Sequence, residues 1–152
     1  MSKTVKELLF RIKIKEVKGN FKCYSNQLTS LEGSPKTVGG YFDCSYNELV
    51  SLEGSPETVG GDFYCSDNNL TSLKGSPKTV GGDFDCSDNK LTSLKGAPKE
   101  IRDDFFSSRN NLTSLEGAPK EVGGDFYCKN NKANFTEDDV KKVCDVKGNI
   151  YV

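Results

Sequence analysis

Aspartate recurs in this chain at spacings that could bring several carboxylates together at one reactive site. Asp83 and Asp85 lie two positions apart, and Asp62 lies 21 residues before Asp83. Paired carboxylates can act as general acid and base in glycoside hydrolysis, and several together can ligate a hard cation such as Ca²⁺. Histidine is absent from the 152 residues. Its absence excludes Ser-His and Cys-His nucleophile pairs and imidazole metal ligands.

Cysteine is the second reactive residue type, and five of the six cysteines recur at multiples of the same 21-residue spacing. They are Cys23, Cys44, Cys65, Cys86 and Cys128. Such a column could be a metal or redox ladder, or a set of small buried hydrophobic residues. Neighbouring Cβ vectors in a parallel stack point the same way, which is poor disulfide geometry. We therefore favour buried free thiols, with Ser107 in the same slot of the fifth unit.

Both series belong to one 21-residue repeat, which must position them. A phenylalanine marks it at Phe21, Phe42, Phe63, Phe84, Phe105 and Phe126. In most units cysteine follows two residues later, asparagine five, leucine seven and proline fourteen. A fixed short period indicates a solenoid, in which one supersecondary unit stacks on copies of itself. Each coil then buries only a narrow strip, so a hydrophobic content of 34% suffices for one domain.

The third unit contains the pattern Phe63-x-Cys65-x-x-Asn68-x-Leu70-x-x-Leu73. It resembles the leucine-rich repeat, with Phe and Cys in the first two apolar slots, and specifically the short bacterial and bacteriophage-like repeats that carry proline on the convex side. The resemblance covers six repeats over residues 17–133. It implies a mainly β, leucine-rich repeat solenoid with a parallel β-sheet on the concave face and short helical caps at one or both ends.

The first segment, residues 1–16, is predicted to cap the solenoid, because the end of a coil stack exposes apolar edge. Thr4 and Glu7 have the spacing of a capping box, which opens a short helix. Phe10, Ile12 and Ile14 alternate with Arg and Lys like an edge strand. Lysines on such a strand would protect it from pairing with another chain.

The last segment, residues 134–152, is predicted to cap the other end with a short helix and a final strand. Thr136 and Asp139 form the second capping-box pattern. The helix is expected to run to about Cys144, with Val140, Val143 and Cys144 covering the last coil.

Two columns of side chains are predicted to face inward. Residues two apart on a strand point to the same side, so each Phe and Cys share the core face. The asparagine column comprises Asn26, Asn47, Asn68, Asn89, Asn110 and Asn131. An Asn amide both donates and accepts, so a buried stack can satisfy backbone groups where the chain leaves the strand.

The outward slots should carry function, because they alternate with the inward Phe and Cys. They are the residue before each Phe, the residue between Phe and Cys, and the two residues after Cys. Over six coils they contain eight Asp against three Lys or Arg, a net charge of −5 on a chain whose total is −1. The predicted partner-binding residues are Tyr41, Asp43, Tyr46, Asp62, Tyr64, Asp67, Asp83, Asp85, Asp88, Asp104, Phe106, Arg109, Asp125 and Tyr127.

The fifth unit departs from the others. Arg102 and Asp103 replace its glycine pair, Phe106 adds a second aromatic ring, and Arg109 is the only arginine in an outward slot. The departure is either drift within one repeat or a specificity patch over residues 102–109.

These features favour a protein–protein interaction module that binds a basic partner through an acidic, tyrosine-rich concave strip. Like charges on neighbouring strands destabilise a sheet, so the aspartate column suggests an external cation, either a basic protein surface or metal ions. The resemblance implies a binder, in particular a phage or bacterial protein that engages or inhibits a host factor. The alternatives are a Ca²⁺-stabilised structural repeat and, less favoured, a carboxylate-based glycosidase.

Several other assignments are expected to be negative. No loop has the Asp-x-Asp-x-Asp-Gly spacing of a calcium site, so no metal and no cofactor are assigned. Nucleic acid is disfavoured on an acidic strip, and no apolar run is long enough to span a bilayer. The first ten residues contain no signal-peptide core, which predicts a location in the cytoplasm of a bacterial or infected host cell. The oligomeric state is left open.

Overall fold

Two short strands in every coil, separated by a turn, build the molecule. The computed structural model describes residues 3–9 and 14–152, apart from the side chain of Leu8. The helices are α1 (Val5–Leu8) and α2 (Glu137–Lys141). The strands are β1 (Glu16–Val17), β2 (Phe21–Lys22), β3 (Thr37–Val38), β4 (Phe42–Asp43), β5 (Thr58–Val59), β6 (Phe63–Tyr64), β7 (Thr79–Val80), β8 (Phe84–Asp85), β9 (Glu100–Ile101), β10 (Phe105–Phe106), β11 (Glu121–Val122), β12 (Phe126–Tyr127), β13 (Asp145–Val146) and β14 (Ile150–Tyr151).

The strands stack in parallel with the register of the sequence repeat. The even-numbered strands β2 to β14 form one seven-stranded sheet, here the Phe sheet. The odd-numbered strands form two shorter sheets, here the Val sheets, with orders β1-β3-β5-β7 and β9-β11-β13. Phe42 pairs with Phe63 and Val38 pairs with Val59, which is a shift of one unit. The predicted mainly β, parallel solenoid is therefore confirmed.

The odd-numbered strand of each coil, which belongs to a Val sheet, was not anticipated from the sequence. Each odd-numbered strand is only two residues long, too short to show the alternation by which strands are recognised. Its signal was the valine or isoleucine just before the corner, usually before Gly-Gly, which suits a strand that ends at a tight corner. A coil is thus one odd-numbered strand followed by one even-numbered strand, and the part of the chain that the structure describes forms seven coils.

The core is a set of columns that run along the stack. The ring centroids of Phe42 and Phe63 lie 5.5 Å apart and those of Phe63 and Phe84 lie 5.3 Å apart, with nearly parallel planes. The leucine columns and the prolines beside them are buried as well. Burying one such apolar side chain stabilises the fold by about 1.5–3 kcal/mol, and each column gains this at every coil.

The cysteine column consists of buried free thiols, as predicted. Cys44 and Cys86 donate their S–H groups to the carbonyls of Tyr64 and Phe106 in the following coil. Ser107 takes over this role in the fifth coil by donating to the carbonyl of Tyr127. Burial makes thiolate formation unfavourable, so neither redox nor metal chemistry is supported here.

The asparagine column joins the coils from inside. Oδ1 of Asn89 accepts the N–H of Leu70 at 2.9 Å, and Nδ2 donates to the carbonyls of Cys65 at 3.0 Å, Cys86 at 3.2 Å and Ser87 at 3.0 Å. Asn89 is buried, so these backbone groups have no access to water in its place. The column therefore does what its sequence pattern predicted, and it also fixes the register between coils.

The N-terminal cap contains the predicted short helix. Thr4 and Glu7 form a complete capping box at α1, and Val5 is fully buried against the first coil. The predicted edge strand involves Phe10 and Ile12, which lie outside the described residues, and Ile14 is described but is not in a strand.

The C-terminal helix is shorter than predicted, although its capping box is present between Thr136 and Asp139. It ends at Lys141 rather than near Cys144, because the chain must turn so that Asp145 can pair with the previous coil in β13. Val140 and Cys144 are buried as expected, whereas Val143 is only partly buried. The final strand is in fact two strands, β13 and β14, which make a seventh coil.

We predict that Asn89→Ala lowers the free energy of unfolding by about 3 kcal/mol, because several buried backbone groups lose their partners at once. Urea denaturation monitored by circular dichroism measures the change. Asn26→Ala is the matched control in the same column. Among the described residues the side chain of Asn26 donates only to the Tyr24 carbonyl, and it is partly exposed, so its loss should cost less than about 1 kcal/mol. Equal losses in the two variants would contradict the assigned role.

Candidate functional site

The outer face of the Phe sheet carries four rows of side chains. The Asp row is Asn20, Tyr41, Asp62, Asp83, Asp104, Asp125 and Asn149. The middle row is Lys22, Asp43, Tyr64, Asp85, Phe106, Tyr127 and Tyr151. The serine row is Tyr24, Ser45, Ser66, Ser87, Ser108 and Lys129. The turn row is Ser25, Tyr46, Asp67, Asp88, Arg109 and Asn130. All fourteen predicted binding residues lie in the Asp, middle and turn rows, and the register brings members of one row to adjacent strands.

The Asp row has a structural role that the sequence analysis did not foresee. Oδ1 of Asp62 accepts the N–H of Asp83 at 3.0 Å, and Oδ1 of Asp83 accepts that of Asp104 at 2.9 Å. Asp104 and Asp125 continue the series with the N–H groups of Asp125 and Asn149. Hydrogen bonds from N–H to an ionised carboxylate are among the stronger ones in proteins. Each carboxylate of this row therefore has a backbone donor inside the fold, so the column does not by itself require an external cation.

Two tyrosines of the middle row are tied to the Asp row. The hydroxyl of Tyr64 donates to Oδ2 of Asp62 at 2.8 Å, and that of Tyr127 donates to Oδ2 of Asp125 at 3.2 Å. Burial, followed by the bond to Asp62, raises the pKa of the Tyr64 hydroxyl well above its ordinary range. Both rings are thus fixed in position before any partner arrives.

An aromatic stack continues along the middle row. The ring centroids of Phe106 and Tyr127 lie 4.6 Å apart, and so do those of Tyr127 and Tyr151, with interplanar angles of 10° and 8°. The ammonium of Lys129 lies 5.5 Å from the centroid of the Tyr151 ring. Tyr151 was missing from the predicted site. The sequence indicates Tyr151 as a member of the site because it directly follows Ile150, which occupies the Phe slot of the last coil.

The turn row follows the strands at a backbone position with positive φ. The values are 53° for Asp67, Asp88 and Arg109, and 54° for Tyr46. Asp and Asn adopt this left-handed conformation with little cost, whereas a bulky residue adopts it rarely. Tyr46 is nevertheless placed there, and 63% of its surface is exposed.

A shallow trough of about 320 Å³ runs between the middle row and the turn row. We call it the serine trough, because Ser66, Ser87 and Ser108 form its floor. Ser87 and Ser108 are buried, so the small side chains leave the space above them open. Its walls are lined by Asp85, Phe106 and Tyr127 on one side and by Tyr46, Asp67, Asp88 and Arg109 on the other.

Arg109 is paired within the molecule. Its Nε donates to Oδ1 of Asp88 in the previous coil, and its Nη2 donates to Oδ2, each at 2.6 Å. A bidentate pair of this kind has a defined geometry. The only arginine of the outward slots is therefore a link between the fourth and fifth coils as well as a wall of the trough.

Negative charge is incompletely compensated at the trough. Burial is the largest cause that raises the pKa of Asp85 and of Asp67, and repulsion from Asp88 adds to both. Burial also raises the pKa of Asp83. The part of the chain that the structure describes contains no group of three or more His, Cys, Asp or Glu side chains placed to hold a metal ion. The trough thus presents carboxylates that a positively charged group would stabilise.

Comparison with known proteins gives no relative: no family model, curated protein or solved structure matches the chain. Among residues 3–9 and 14–152, no helix has the length and apolarity needed to cross a membrane.

We predict that Asp85→Asn raises the free energy of unfolding at pH 7. The amide keeps an acceptor for the N–H of Ser87, which Oδ1 of Asp85 binds at 2.9 Å, but removes a charge that burial disfavours. The native pKa of Asp85 lies above its ordinary value of 3.8. The native state therefore holds this proton more tightly than the unfolded state, and wild-type stability falls as pH rises through that window. The advantage of the variant should disappear as pH falls towards 3.8.

Asp43→Asn is the matched control. Asp43 occupies the same row and accepts the N–H of Ser45 at 3.0 Å, but Lys22 lies opposite it in the neighbouring strand. Removing its charge also removes an attraction, so the gain in stability should be smaller. Urea denaturation of the three proteins at several pH values tests this, and a loss of stability in Asp85→Asn at pH 7 would refute it.

Proposed function

We propose that the chain is a protein-binding module whose binding surface is the outer face of the Phe sheet, centred on the serine trough. Tyr46 is the observation that carries the proposal. A tyrosine at positive φ costs about 1–2 kcal/mol, and most of its ring is exposed, so burial returns little of that energy. The repeat requires positive φ at every position of the turn row, but it does not require a bulky residue there, and strain of this kind is a reason to look for function. Tyrosine is also among the residue types that most often anchor protein interfaces.

The charge of the surface supports a basic partner. Asp67 and Asp85 are only partly exposed, and Asp88 adds to their repulsion. A lysine or arginine supplied by the partner would lower the free energy of these carboxylates. Charge of one sign on the surface would also speed the encounter with a partner of the other sign.

The aromatic side chains support a stable complex rather than a fleeting encounter. Phe106, Tyr127 and Tyr151 form a preformed stack, and the hydroxyl of Tyr64 is tethered to Asp62. Side chains already held in place lose little conformational entropy on binding. Acidic groups would attract the partner, and the rings would then hold it.

The repeat pattern places this module, as part of the proposal, with the leucine-rich repeat proteins of the short bacterial and bacteriophage-like kind, with the Phe sheet as the concave face. We further propose that it acts in the cytoplasm of a bacterial or infected host cell, where it engages or inhibits a host factor. The calcium-stabilised alternative loses its main argument, because the Asp row is compensated by backbone N–H groups. The hydrogen-bonding duties of Asp83 and Asp85 likewise give a glycosidase no support.

Tyr46→Asn should separate stability from binding. Asparagine tolerates the left-handed turn, so we expect the free energy of unfolding to rise by about 0.5–1 kcal/mol. The same change should weaken partner binding, because it removes an anchor ring. Thermal unfolding measures the first effect, and titration calorimetry with the partner measures the second. A variant that is less stable than wild type would remove strain from the argument.

The binding surface is tested by capture from bacterial or infected-cell lysate with mass spectrometry, followed by titration of the purified partner. The face variant replaces Tyr64 and Phe106 by Ser and Asp85 by Asn. We expect it to bind at least about tenfold more weakly, which corresponds to about 1.4 kcal/mol. Wild-type binding should also weaken as salt is raised.

The matched control replaces Thr37, Thr58 and Thr79 by Ala, because these are three exposed residues of successive coils on a Val sheet. It should bind like wild type. If the control loses binding while the face variant keeps it, the interface lies on the Val sheets and the proposal is wrong.

A further inference from the structure

The stack of coils is interrupted on one side only, between the fourth and fifth coils. β7 ends one Val sheet and β9 begins the other, whereas β8 and β10 remain paired in the Phe sheet. At three other junctions the residue after the valine donates its N–H to the valine one coil before: Gly39 to Val17, Gly60 to Val38 and Gly81 to Val59. Among the residues that the structure describes, no corresponding bond joins Arg102 to Val80.

The glycine pair explains where the interruption falls. A Cβ atom added to Gly81 would lie 2.1 Å from the carbonyl oxygen of Gly60, and one added to Gly82 would lie 2.1 Å from Oδ1 of Asp62. Coils that pack in this way leave little room for side chains at both positions together. The fifth coil has Arg102 and Asp103 there, and its backbone forms fewer hydrogen bonds with the fourth coil at this corner.

A single replacement is not sufficient to break the pairing. Lys147 occupies the first glycine position of the last coil, beside Gly148, and its N–H still donates to the carbonyl of Val122 at 2.9 Å. Among the junctions between successive coils, the loss of pairing coincides with replacement of both glycines.

Two further measurements describe the junction. A groove of about 720 Å³ lies beside it, lined among others by Pro77, Val80, Pro98 and Ile101. The ring centroids of Phe84 and Phe105, on the paired side, are 5.8 Å apart, the widest spacing in the Phe column. The Cα atoms of β7 and β9 still lie within 8 Å of one another, as they do in the paired Val strands, so β7 and β9 have lost hydrogen bonds without moving apart.

The opposite side of the same junction is reinforced. Asp88 belongs to the fourth coil and Arg109 to the fifth, and their bidentate ion pair crosses the junction beside the Phe sheet. Asn110 adds buried bonds from the fifth coil to the fourth, to the carbonyl of Cys86 at 3.0 Å and the N–H of Leu91 at 3.0 Å. The hydrogen bonds between the two halves of the stack are thus complete along the Phe sheet and fewer along the Val side, where the N–H of Asp103 donates to the carbonyl of Gly82 at 3.4 Å.

From this asymmetry we propose that the junction between the fourth and fifth coils is a hinge. The Phe sheet is its axis, the unpaired strands β7 and β9 are its weaker side, and the Asp88–Arg109 pair is a clasp that limits the opening. The serine trough spans the same junction, since its walls include residues of both coils. Opening of the hinge therefore changes the width of the trough and the distance between its walls.

Spin-label distances test the hinge directly and need no binding partner. One label pair, at Thr58 and Glu100, spans the junction, and a second pair, at Thr37 and Thr79, spans the same number of coils without crossing it. All four residues are exposed. Two coils span only about 9.6 Å, so the distances are read from dipolar broadening of continuous-wave electron paramagnetic resonance spectra. We expect a broader distance distribution for the spanning pair than for the control pair.

Two variants make the result specific. Arg102→Gly with Asp103→Gly should narrow the spanning distribution to the width of the control pair, because the coils can then pack and pair. Arg109→Gln removes the clasp and should broaden the spanning distribution further while leaving the control pair unchanged. Equal widths for the two pairs, both in wild type and in Arg109→Gln, would overturn the hinge. An unchanged spanning distribution in the double glycine variant would overturn its assignment to Arg102 and Asp103.

Discussion

Each coil can complete its backbone hydrogen bonds only by meeting the next coil at one register. The strands are two residues long, so main-chain pairing alone gives few bonds per coil. Buried Asn side chains and partly buried Asp side chains supply the rest, by accepting N–H groups from neighbouring coils and, for Asn, by donating to carbonyls. A slip by one residue would leave these groups unpaired in the interior, which costs about 1–3 kcal/mol for each group. The fold therefore depends on side chains that act as part of the backbone network.

The sequence predicts the inward half of the repeat well, because burial imposes a strict spacing. The Phe, Cys and Asn columns could be assigned from their period alone, and so could the capping boxes at Thr4 and Thr136. The Val sheets could not be predicted, since a two-residue strand has no period to detect. Their interruption could not be predicted either, because it depends on how closely the backbones of adjacent coils approach at the glycine pair.

The outward half is harder to predict, because one residue type serves two purposes there. Asp83 and Asp85 have the same charge, yet Asp83 accepts the N–H of Asp104 in the next coil, whereas Asp85 accepts the N–H of Ser87 in its own coil. Sequence spacing reports their positions but not the donors that they meet. The same limit applies to Arg109, which looked like a free specificity residue and is in fact paired with Asp88. Counting charges along a strand overstates what a surface offers to a partner when the fold uses those charges itself.

The identical register of neighbouring coils has a consequence for how such a molecule can change its size. A coil that both offers and receives the same set of bonds can be duplicated or deleted as a block of 21 residues without leaving an orphaned donor, provided that the caps stay in place. The length of the molecule is then adjustable by gene duplication in steps of about 4.8 Å. The pair formed by Asp88 and Arg109 is the exception, because it singles out one junction. A duplication there would separate the two partners, so growth is least constrained among the coils that precede it.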